Sequence, residues 1–482
     1  QALSRGALSE ASALLSRACA LQERTGVPAA ERVRTGWRLV EAAFGLSQLE
    51  AGARALKNTL SLLGRPIPQG KLAMGLALLK EGGAQLVHQL RPSWVRKPVD
   101  PAERRLCADE AALHLIGVEM NGHLGRLPEV AYEALRGINV SQLQDDAELC
   151  GYSKLVMSYL FQIALLPALS ETYLEAGRAL LLKSPEVKSQ LYALRVSGII
   201  YHFRGEHRKA VQTWQQAQTL AEHLGDPATQ IFLSISLAAA LSCLGDYPAA
   251  IVEAQRSLAE SRLQLNRMRE CHSLGILGAN YLRQGELTLA AESIAASVAM
   301  AQPGAAYFAY GLRPLCTLRL GDAAAALAQL EEALPFFEEA AATSSGAFEA
   351  APAMVNTALT LWLQASRPGE RARAASLIRR SRKVLQKLAL GIPLFRATLL
   401  LIEGRLAWLA GRPRLARYLF AKCQALAERF EMRHDAALAM CWLGYLQGGD
   451  SGVRLHQEGL ARLRKLGALG DVKQIESWPQ AM

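Results

Sequence analysis

The sequence predicts an all-α protein of stacked helix pairs, and two observations carry this prediction. First, six glycines are each followed five residues later by an alanine, and three of these glycines recur every 40 residues, at Gly205, Gly245 and Gly285. Second, no alternation of apolar and polar residues continues beyond a few positions, as a half-buried strand would require. A fixed period of this size is typical of helical repeat arrays. We therefore expect a right-handed α-solenoid with a repeat of about 40 residues.

The stretch from Glu186 to Gly225 shows how one repeat is encoded. Its first helix is expected to end at Gly205, because glycine tolerates the left-handed conformation of a helix C-cap. Its second helix carries apolar residues at i, i+3, i+4 and i+7 from Ala210 to Leu224, which predicts one buried face. Pro227 then begins the next helix, since proline fits the first turn.

Composition is consistent with this fold. The chain has 482 residues, 51% of them hydrophobic and only 6% aromatic. It shows no uninterrupted run of about 18 apolar residues, so no membrane span is expected. Its eight cysteines form no C-x-x-C pair, which favours buried thiols in a reducing, cytoplasmic compartment. The chain starts at Gln1 rather than at a methionine, and we expect it to be a fragment of a longer protein.

One interruption of the repeat is predicted, around a helix flanked by prolines and followed by a basic, proline-rich loop. The expected organisation is helical repeats in 1–64, the interruption in 65–106, the main solenoid in 107–447 and a C-terminal cap in 448–482. Two interpretations of the interruption stay open: an ordinary long connection, or a docking element for a neighbouring domain.

Motifs for catalysis or cofactor binding are not found in the sequence. It contains no G-x-x-x-x-G-K-[ST] phosphate loop and no H-E-x-x-H metal motif. His202 and His207 lie on either side of the Gly205 turn, so they do not share a helix face as zinc ligands would. We expect no catalytic, cofactor-binding or metal-binding residues in this chain.

Two repeats carry the pattern of a small residue, an aromatic three positions later, a glycine, and then an alanine followed by a large apolar residue, and a third repeat carries it without the aromatic. This pattern resembles the tetratricopeptide repeat, although that repeat usually has 34 residues. The matching positions are Gly198, Tyr201, Ala210, Trp214 and Ala217 in one repeat, Gly278, Tyr281, Ala290 and Ile294 in another, and Gly404, Ala416 and Phe420 in a third.

Longer passages resemble the C-terminal repeat region of multidomain STAND, AAA-like signalling ATPases. They are Leu62–Pro68, Leu124–Asn139, Leu390–Ala397 and Gly404–Ala416. Members of that family often also carry a class III nucleotidyl cyclase or a serine/threonine kinase domain. The resemblance implies that this chain is a non-catalytic regulatory or sensor arm, with any catalytic domain upstream. A free-standing tetratricopeptide adaptor and the sensor tail of a transcriptional regulator are the alternatives.

In the tetratricopeptide alignment, seven positions are expected to face the inner groove of the solenoid. Such a groove suits a protein or peptide partner held by side-chain pockets. In the alternative interpretation, about half of these residues simply pack against the adjacent helix. The candidates are Tyr192, Arg195, Ile199, His202, Phe203, Phe232 and Ile235.

Positive charge is concentrated near the C-terminus. The net charge is +11, and Arg367 to Lys465 alone contributes 20 Lys+Arg and 7 Asp+Glu, or +13. The predicted basic patch consists of Arg379, Arg380, Arg382 and Lys383. Three interpretations stay open: a solvated helix face, a contact with an acidic protein surface such as another domain of the same polypeptide, and nucleic-acid binding, which the scarcity of aromatic residues disfavours.

Overall fold

The computed structural model describes residues 8–46, 48–91, 94, 100–143, 146–300, 307–339 and 347–477. This part of the chain contains 23 helices and no strand, which confirms the predicted all-α class. The chain divides into two compact units, residues 1–197 (unit 1) and residues 198–482 (unit 2).

Unit 1 contains eight helices and the first part of a ninth, α9, in which the division between the units falls. They are α1 (Leu8–Arg24), α2 (Ala29–Gly45), α3 (Leu49–Leu62), α4 (Lys71–Leu90), α5 (Pro101–His123), α6 (Leu127–Ser141), α7 (Ala147–Ile163), α8 (Pro167–Leu181) and α9 (Val187–Phe203).

Unit 2 contains the end of α9 and all the later helices. They are α10 (His207–Leu224), α11 (Pro227–Leu244), α12 (Tyr247–Leu263), α13 (Arg267–Gln284), α14 (Leu287–Ala299), α15 (Tyr307–Arg319), α16 (Ala323–Glu339), α17 (Ala347–Gln364), α18 (Pro368–Gly391), α19 (Phe395–Leu409), α20 (Pro413–Arg429), α21 (Arg433–Gln447), α22 (Gly449–Lys465) and α23 (Leu469–Ser477).

The 40-residue period is confirmed in the helix starts. The first helices of successive pairs begin at residues 147, 187, 227, 267, 307 and 347, always 40 residues apart. The backbone also repeats: Gly125 and Gly205 both have positive φ values, of 70° and 82°. Between them Leu165 takes the same left-handed turn at φ 60°, although this conformation is unfavourable for a residue with a side chain.

The tetratricopeptide-like positions make equivalent contacts in unit 2. A Cβ atom at Gly278 would lie 2.6 Å from Ile294, one at Gly404 would lie 2.5 Å from Phe420, and one at Gly198 would overlap the Trp214 ring. In each pair, therefore, the glycine lets the large side chain of the second helix approach the backbone of the first. This is the close packing that the sequence pattern predicts.

Helix α4, in the predicted interruption, buries polar side chains and exposes apolar ones. Its packed side buries Glu81, which accepts a hydrogen bond from Asn139, and Gln85, which donates one to Tyr173. Its opposite side exposes leucines spaced by four or three residues around Gly83. They are Leu72, Leu76, Leu79, Leu86 and Leu90. Most of the basic loop that follows, residues 92–93 and 95–99, lies outside the described residues.

Helix α11 differs from the expectation drawn from hydropathy. Among the described residues it is the one helix long and apolar enough to cross a membrane by length and composition, yet half of it is buried in the protein. It packs between α10, α12 and α13, as a core helix of the array does. The cysteines are all free, five buried and three partly buried, in line with the predicted buried thiols.

Candidate functional site

Two of the predicted groove residues lie in unit 1, on the first part of α9. Arg195 forms an ion pair with Glu119, and its guanidinium lies 4.9 Å from the centre of the Tyr192 ring. Tyr192 also packs edge-on against Tyr152, at 4.7 Å between ring centres. Both predicted residues are partly buried.

The other five lie in unit 2 and fall into two classes. Ile199, Phe232 and Ile235 are partly buried. His202 and Phe203, by contrast, are only 5% and 6% exposed. The last two residues thus follow the alternative interpretation, in which the side chain packs inside the array.

His202 meets His207 and Cys243 in unit 2. The Nδ1 atoms of the two histidines are 3.0 Å apart, and their ring centres are 4.9 Å apart. One donor atom from each of the three residues lies within 4.8 Å of the other two. The two histidines do belong to different helices, as the sequence indicates. The Gly205 turn nevertheless folds their rings together, which the sequence argument did not anticipate.

The predicted basic patch lies on α18, and acidic side chains neutralise part of it. Arg380 forms two 2.8 Å hydrogen bonds with Glu338 of α16, and the Arg382 Nε donates to Glu403 of α19 at 2.6 Å. Arg379 and Lys383 are exposed. The patch is therefore less cationic than its sequence suggests.

A network of buried charges occupies the interior of unit 2. Arg283 donates to Glu349 at 2.7 Å and to Asp471 at 3.1 Å, and Arg319 donates to the other oxygen of Asp471 at 2.6 Å. His434 Nε2 lies 2.9 Å from Asp471, and its Nδ1 lies 3.2 Å from Asp435. Three basic and three acidic groups thus balance one another across α13, α15, α17, α21 and α23.

The pKa shifts of Asp471, Asp435 and His434 favour their ionised forms. Burial alone would raise the pKa of Asp471, but Arg283 and Arg319 hold it well below the ordinary value. Burial and Arg283 disfavour protonation of His434, yet hydrogen bonds to Asp435 and Asp471 raise its pKa. The result is a self-neutralising cluster, in which loss of any one member leaves its partner with an uncompensated buried charge.

Helix α23 supplies Asp471 to this network and fits closely against α13. A Cβ atom at Gly470 would collide with the carbonyl oxygen of Leu282, so the two backbones touch at this point. Arg319 also donates to Leu282 O at 2.8 Å and to Gln474 Oε1 at 3.1 Å. The C-terminal helix is therefore held by its own acidic side chain in a site formed by Arg283, Arg319 and His434.

A cavity of about 40 Å³ adjoins the network and is lined by Cys243, Tyr247, Arg283, Glu349 and Asp435, among others. The Tyr247 hydroxyl is buried there without a hydrogen-bond partner among the described residues. A cavity of this size holds one or two water molecules. A larger ligand requires movement of a neighbouring element.

Sequence reasoning did not identify this network. Asp471 lies 188 residues from Arg283 and 152 from Arg319 along the chain, and no periodic pattern connects them. The adjacent residues His434 and Asp435 at the start of α21 were the one local signal in the sequence. In the structure both are nearly fully buried.

No protein-family model and no characterised protein sequence matches this chain. Solved structures do match it. A Rap protein complexed with competence and sporulation factor has a TM-score of 0.53 and 15% identity, covering 74% of this chain and 99% of that one. NprR in complex with its cognate peptide NprX has a TM-score of 0.52 and 15% identity, covering 74% and 98%. This likeness supports the class of fold: an α-solenoid of tetratricopeptide-like helix pairs.

A STAND protein with a tetratricopeptide-repeat sensor, from Pyrococcus horikoshii, also matches. Its TM-score is 0.43 at 13% identity, and the match covers 75% of this chain and 55% of that one. A TM-score this low supports no argument about function.

Proposed function

We propose that this chain is a non-catalytic sensor scaffold that binds a protein or peptide partner inside its helical array. We further propose that it is the regulatory arm of a cytoplasmic STAND-type signalling ATPase linked to a cyclase or kinase domain. The competing proposal is a free-standing adaptor or the sensor tail of a transcriptional regulator. In each of these proposals, binding of the partner changes the conformation of the chain.

The observation that carries the proposal is the position of Asp471. Its carboxylate, from the short C-terminal helix α23, occupies a site made of Arg283, Arg319 and His434. Charged donors of this kind recognise any well-placed carboxylate. An acidic peptide can therefore compete with α23 for the same three groups. The fold likeness adds support, since NprR was solved with its cognate peptide.

The candidate groove residues give the partner its apolar contacts in this proposal. Within unit 2 these are Ile199, Phe232 and Ile235, which are partly buried. Apolar pockets of this sort provide specificity for alternate side chains of a bound peptide.

The test uses the full chain and a labelled peptide with the sequence of α23, residues 469–477. Asp471→Asn loosens the chain's own helix, so we expect this variant to bind the peptide more tightly than the unmodified chain. Hydrogen exchange in 469–477 should rise at the same time. Glu476→Gln, on the same helix with an exposed surface ion pair to Arg464, is the matched control and should change neither measurement.

Two results contradict the peptide-competition proposal. One is equal binding of the peptide to the unmodified chain, to Asp471→Asn and to Glu476→Gln. The other is exchange in 469–477 that does not respond to Asp471→Asn, because the carboxylate would then not hold the helix.

The exposed face of α4 supports the link to further domains. Its leucines recur at spacings of four, three, seven and four residues, with Gly83 at the position between Leu79 and Leu86, and this is the spacing of a seam between two helices. We propose that a helix of a neighbouring domain of the same polypeptide covers this face. The coding sequence upstream of Gln1 tests the link: a G-x-x-x-x-G-K-[ST] motif there supports the ATPase, and a DNA-binding domain supports the transcriptional alternative.

The basic patch provides a second contact in this proposal, with an acidic protein surface. Replacing Arg379 and Lys383, its two exposed cations, with glutamine should weaken that association mainly through the on-rate and more at low salt. Arg380 and Arg382 serve as controls for internal pairing, because they already bind Glu338 and Glu403. A steep linear fall of log affinity with log salt on long DNA would instead favour nucleic-acid binding.

A further inference from the structure

Three ligand-type side chains of unit 2 converge from separate helix ends. His202 lies at the end of α9, His207 at the start of α10 and Cys243 near the end of α11. The two Nδ1 atoms are 3.0 Å apart. Two nitrogen ligands of a tetrahedral zinc ion, each at about 2.0–2.1 Å, are separated by about 3.3 Å. The rings therefore stand at nearly the spacing that a shared metal imposes.

The third donor needs a modest movement. One donor atom from each residue lies within 4.8 Å of the others, whereas zinc–sulfur bonds of about 2.3 Å bring sulfur and nitrogen within about 3.6 Å. Cys243 is partly exposed and lines the 40 Å³ cavity, so its side chain has room to rotate. The same cavity can supply the water that completes four-coordination.

Both histidines are in the protonation state that a metal requires. Burial lowers the pKa of His202 to about 4, and burial together with His202 lowers the pKa of His207 well below its ordinary value. Each ring is neutral at pH 7, and the 3.0 Å contact is a hydrogen bond from the Nδ1–H of one ring to the Nδ1 lone pair of the other. An ion held between the two Nδ1 atoms replaces this hydrogen bond, and the displaced ring proton moves to Nε2.

Cys243 is a thiol in the metal-free chain. Burial raises its pKa, Glu349 and Asp435 raise it further, and Arg283 offsets part of the rise. Coordination then forms a metal–sulfur bond and releases the thiol proton to solvent, so that the dication, one thiolate and two neutral imidazoles leave one positive charge.

We propose that His202, His207 and Cys243 bind a zinc-class transition metal ion. Two imidazoles and one thiolate are borderline-soft donors that suit Zn²⁺ and its substitute Co²⁺, whereas Mg²⁺ and Ca²⁺ prefer oxygen ligands. The ion joins the end of α9, the start of α10 and the end of α11, and it lies on the wall of the cavity beside the charge network.

Co²⁺ provides the direct test because its absorption spectrum depends on which ligands bind it. The full chain is freed of metal with a chelator and titrated with Co²⁺. We expect saturation at one equivalent, a thiolate-to-cobalt charge-transfer band, intense visible bands of a tetrahedral site, and displacement of Co²⁺ by Zn²⁺. The melting temperature should rise with zinc, since the ion binds the folded state.

Variants identify the ligands. Cys243→Ser should abolish the charge-transfer band and weaken zinc binding by at least about 100-fold, since changes outside the ligand shell already cost 10- to 100-fold. Cys150→Ser is the matched control: Cys150 is also partly exposed but lies in unit 1, and its replacement should leave the spectrum unchanged.

The proposal is overturned if the unmodified chain with one equivalent of Co²⁺ shows no charge-transfer band. This measurement needs no variant, so it decides even if Cys243→Ser fails to fold. A band that persists in a folded Cys243→Ser chain also overturns it, because another cysteine would then be the ligand.

Discussion

Two clusters with buried histidines, His114 and its carboxylates in unit 1 and the pair His202 and His207 in unit 2, show opposite chemistry. In unit 1, His114 Nδ1 bonds to Glu133, and its Nε2 lies 3.7 Å from Glu110, which Arg136 also contacts at 2.7 Å. Burial alone would lower the pKa of His114, but Glu133 and Glu110 raise it to about 9. In unit 2, burial lowers the pKa of His202 to about 4.

The two clusters are equally buried, so burial alone does not decide the charge of each histidine. His114 is 1% exposed and His207 is fully buried. The carboxylates on helices α5 and α6 make His114 a cation that is paired on both sides. Where carboxylates do not contribute to the shift, as at His202, the ring stays neutral. Nearby charge therefore decides the role of each histidine: His114 stabilises the fold, and His202 binds the metal in our proposal.

His114→Phe should have the largest effect on this comparison. It leaves Glu110 and Glu133 buried with one cation fewer, and removal of one partner from a buried ion pair costs about 3–5 kcal/mol. Hydrogen exchange of α5 and α6 measures the loss within unit 1. Protection equal to that of the unmodified chain would show that the carboxylates are compensated without His114.

The pH dependence of unit 1 is the next largest effect. The folded pKa of His114, about 9, exceeds its ordinary value of 6.5. Its contribution is therefore complete below pH 6.5 and disappears as the pH rises through 9, a loss of about 3 kcal/mol. We expect protection of α5 and α6 to fall across this range in the unmodified chain, and to depend much less on pH in His114→Gln.

Glu133→Gln should have an intermediate effect. The variant keeps a hydrogen-bonding group beside His114 but removes the charge, for an expected cost of about 2 kcal/mol. The pKa of His114 should fall as well. Urea unfolding followed at several pH values measures both the stability and the pKa of His114. Glu129→Gln, on the same helix and partly exposed, is the control and should alter neither of them.

His207→Phe should have the smallest effect, provided that metal is removed by a chelator. The ring is neutral, and an apolar ring of similar shape removes only its hydrogen bond to His202, so the change should cost about 1 kcal/mol. A loss as large as that of His114→Phe would contradict the contrast between the clusters.

The sequence predicted the parts of this protein that local pattern controls. Positions such as Gly404 and Phe420 lie 16 residues apart within one helix pair, and their contact follows from the repeat itself. The ion pairs of Arg380 with Glu338 and of Arg283 with Asp471 join residues 42 and 188 positions apart. Those contacts depend on how successive repeats stack, which composition and period do not encode.

The histidine clusters illustrate the same division. The sequence placed His202 and His207 on either side of a turn, but the distance between their rings depends on the backbone at Gly205, where φ is +82°. Cys243 reaches them only through the packing of α11 against α10. A third ligand from the next repeat therefore could not be chosen from spacing alone.

Nitrogen NMR of the full chain with ¹⁵N-labelled histidine tests the central claim most directly, because it reads the charge of each ring. Signals are assigned with His114→Gln and His202→Gln. The account predicts that metal-free His114 is an imidazolium at pH 7 and titrates near pH 9, while His202 remains neutral down to about pH 4. A neutral His114 at pH 7, or a His202 that titrates at its ordinary value near 6.5, would contradict it.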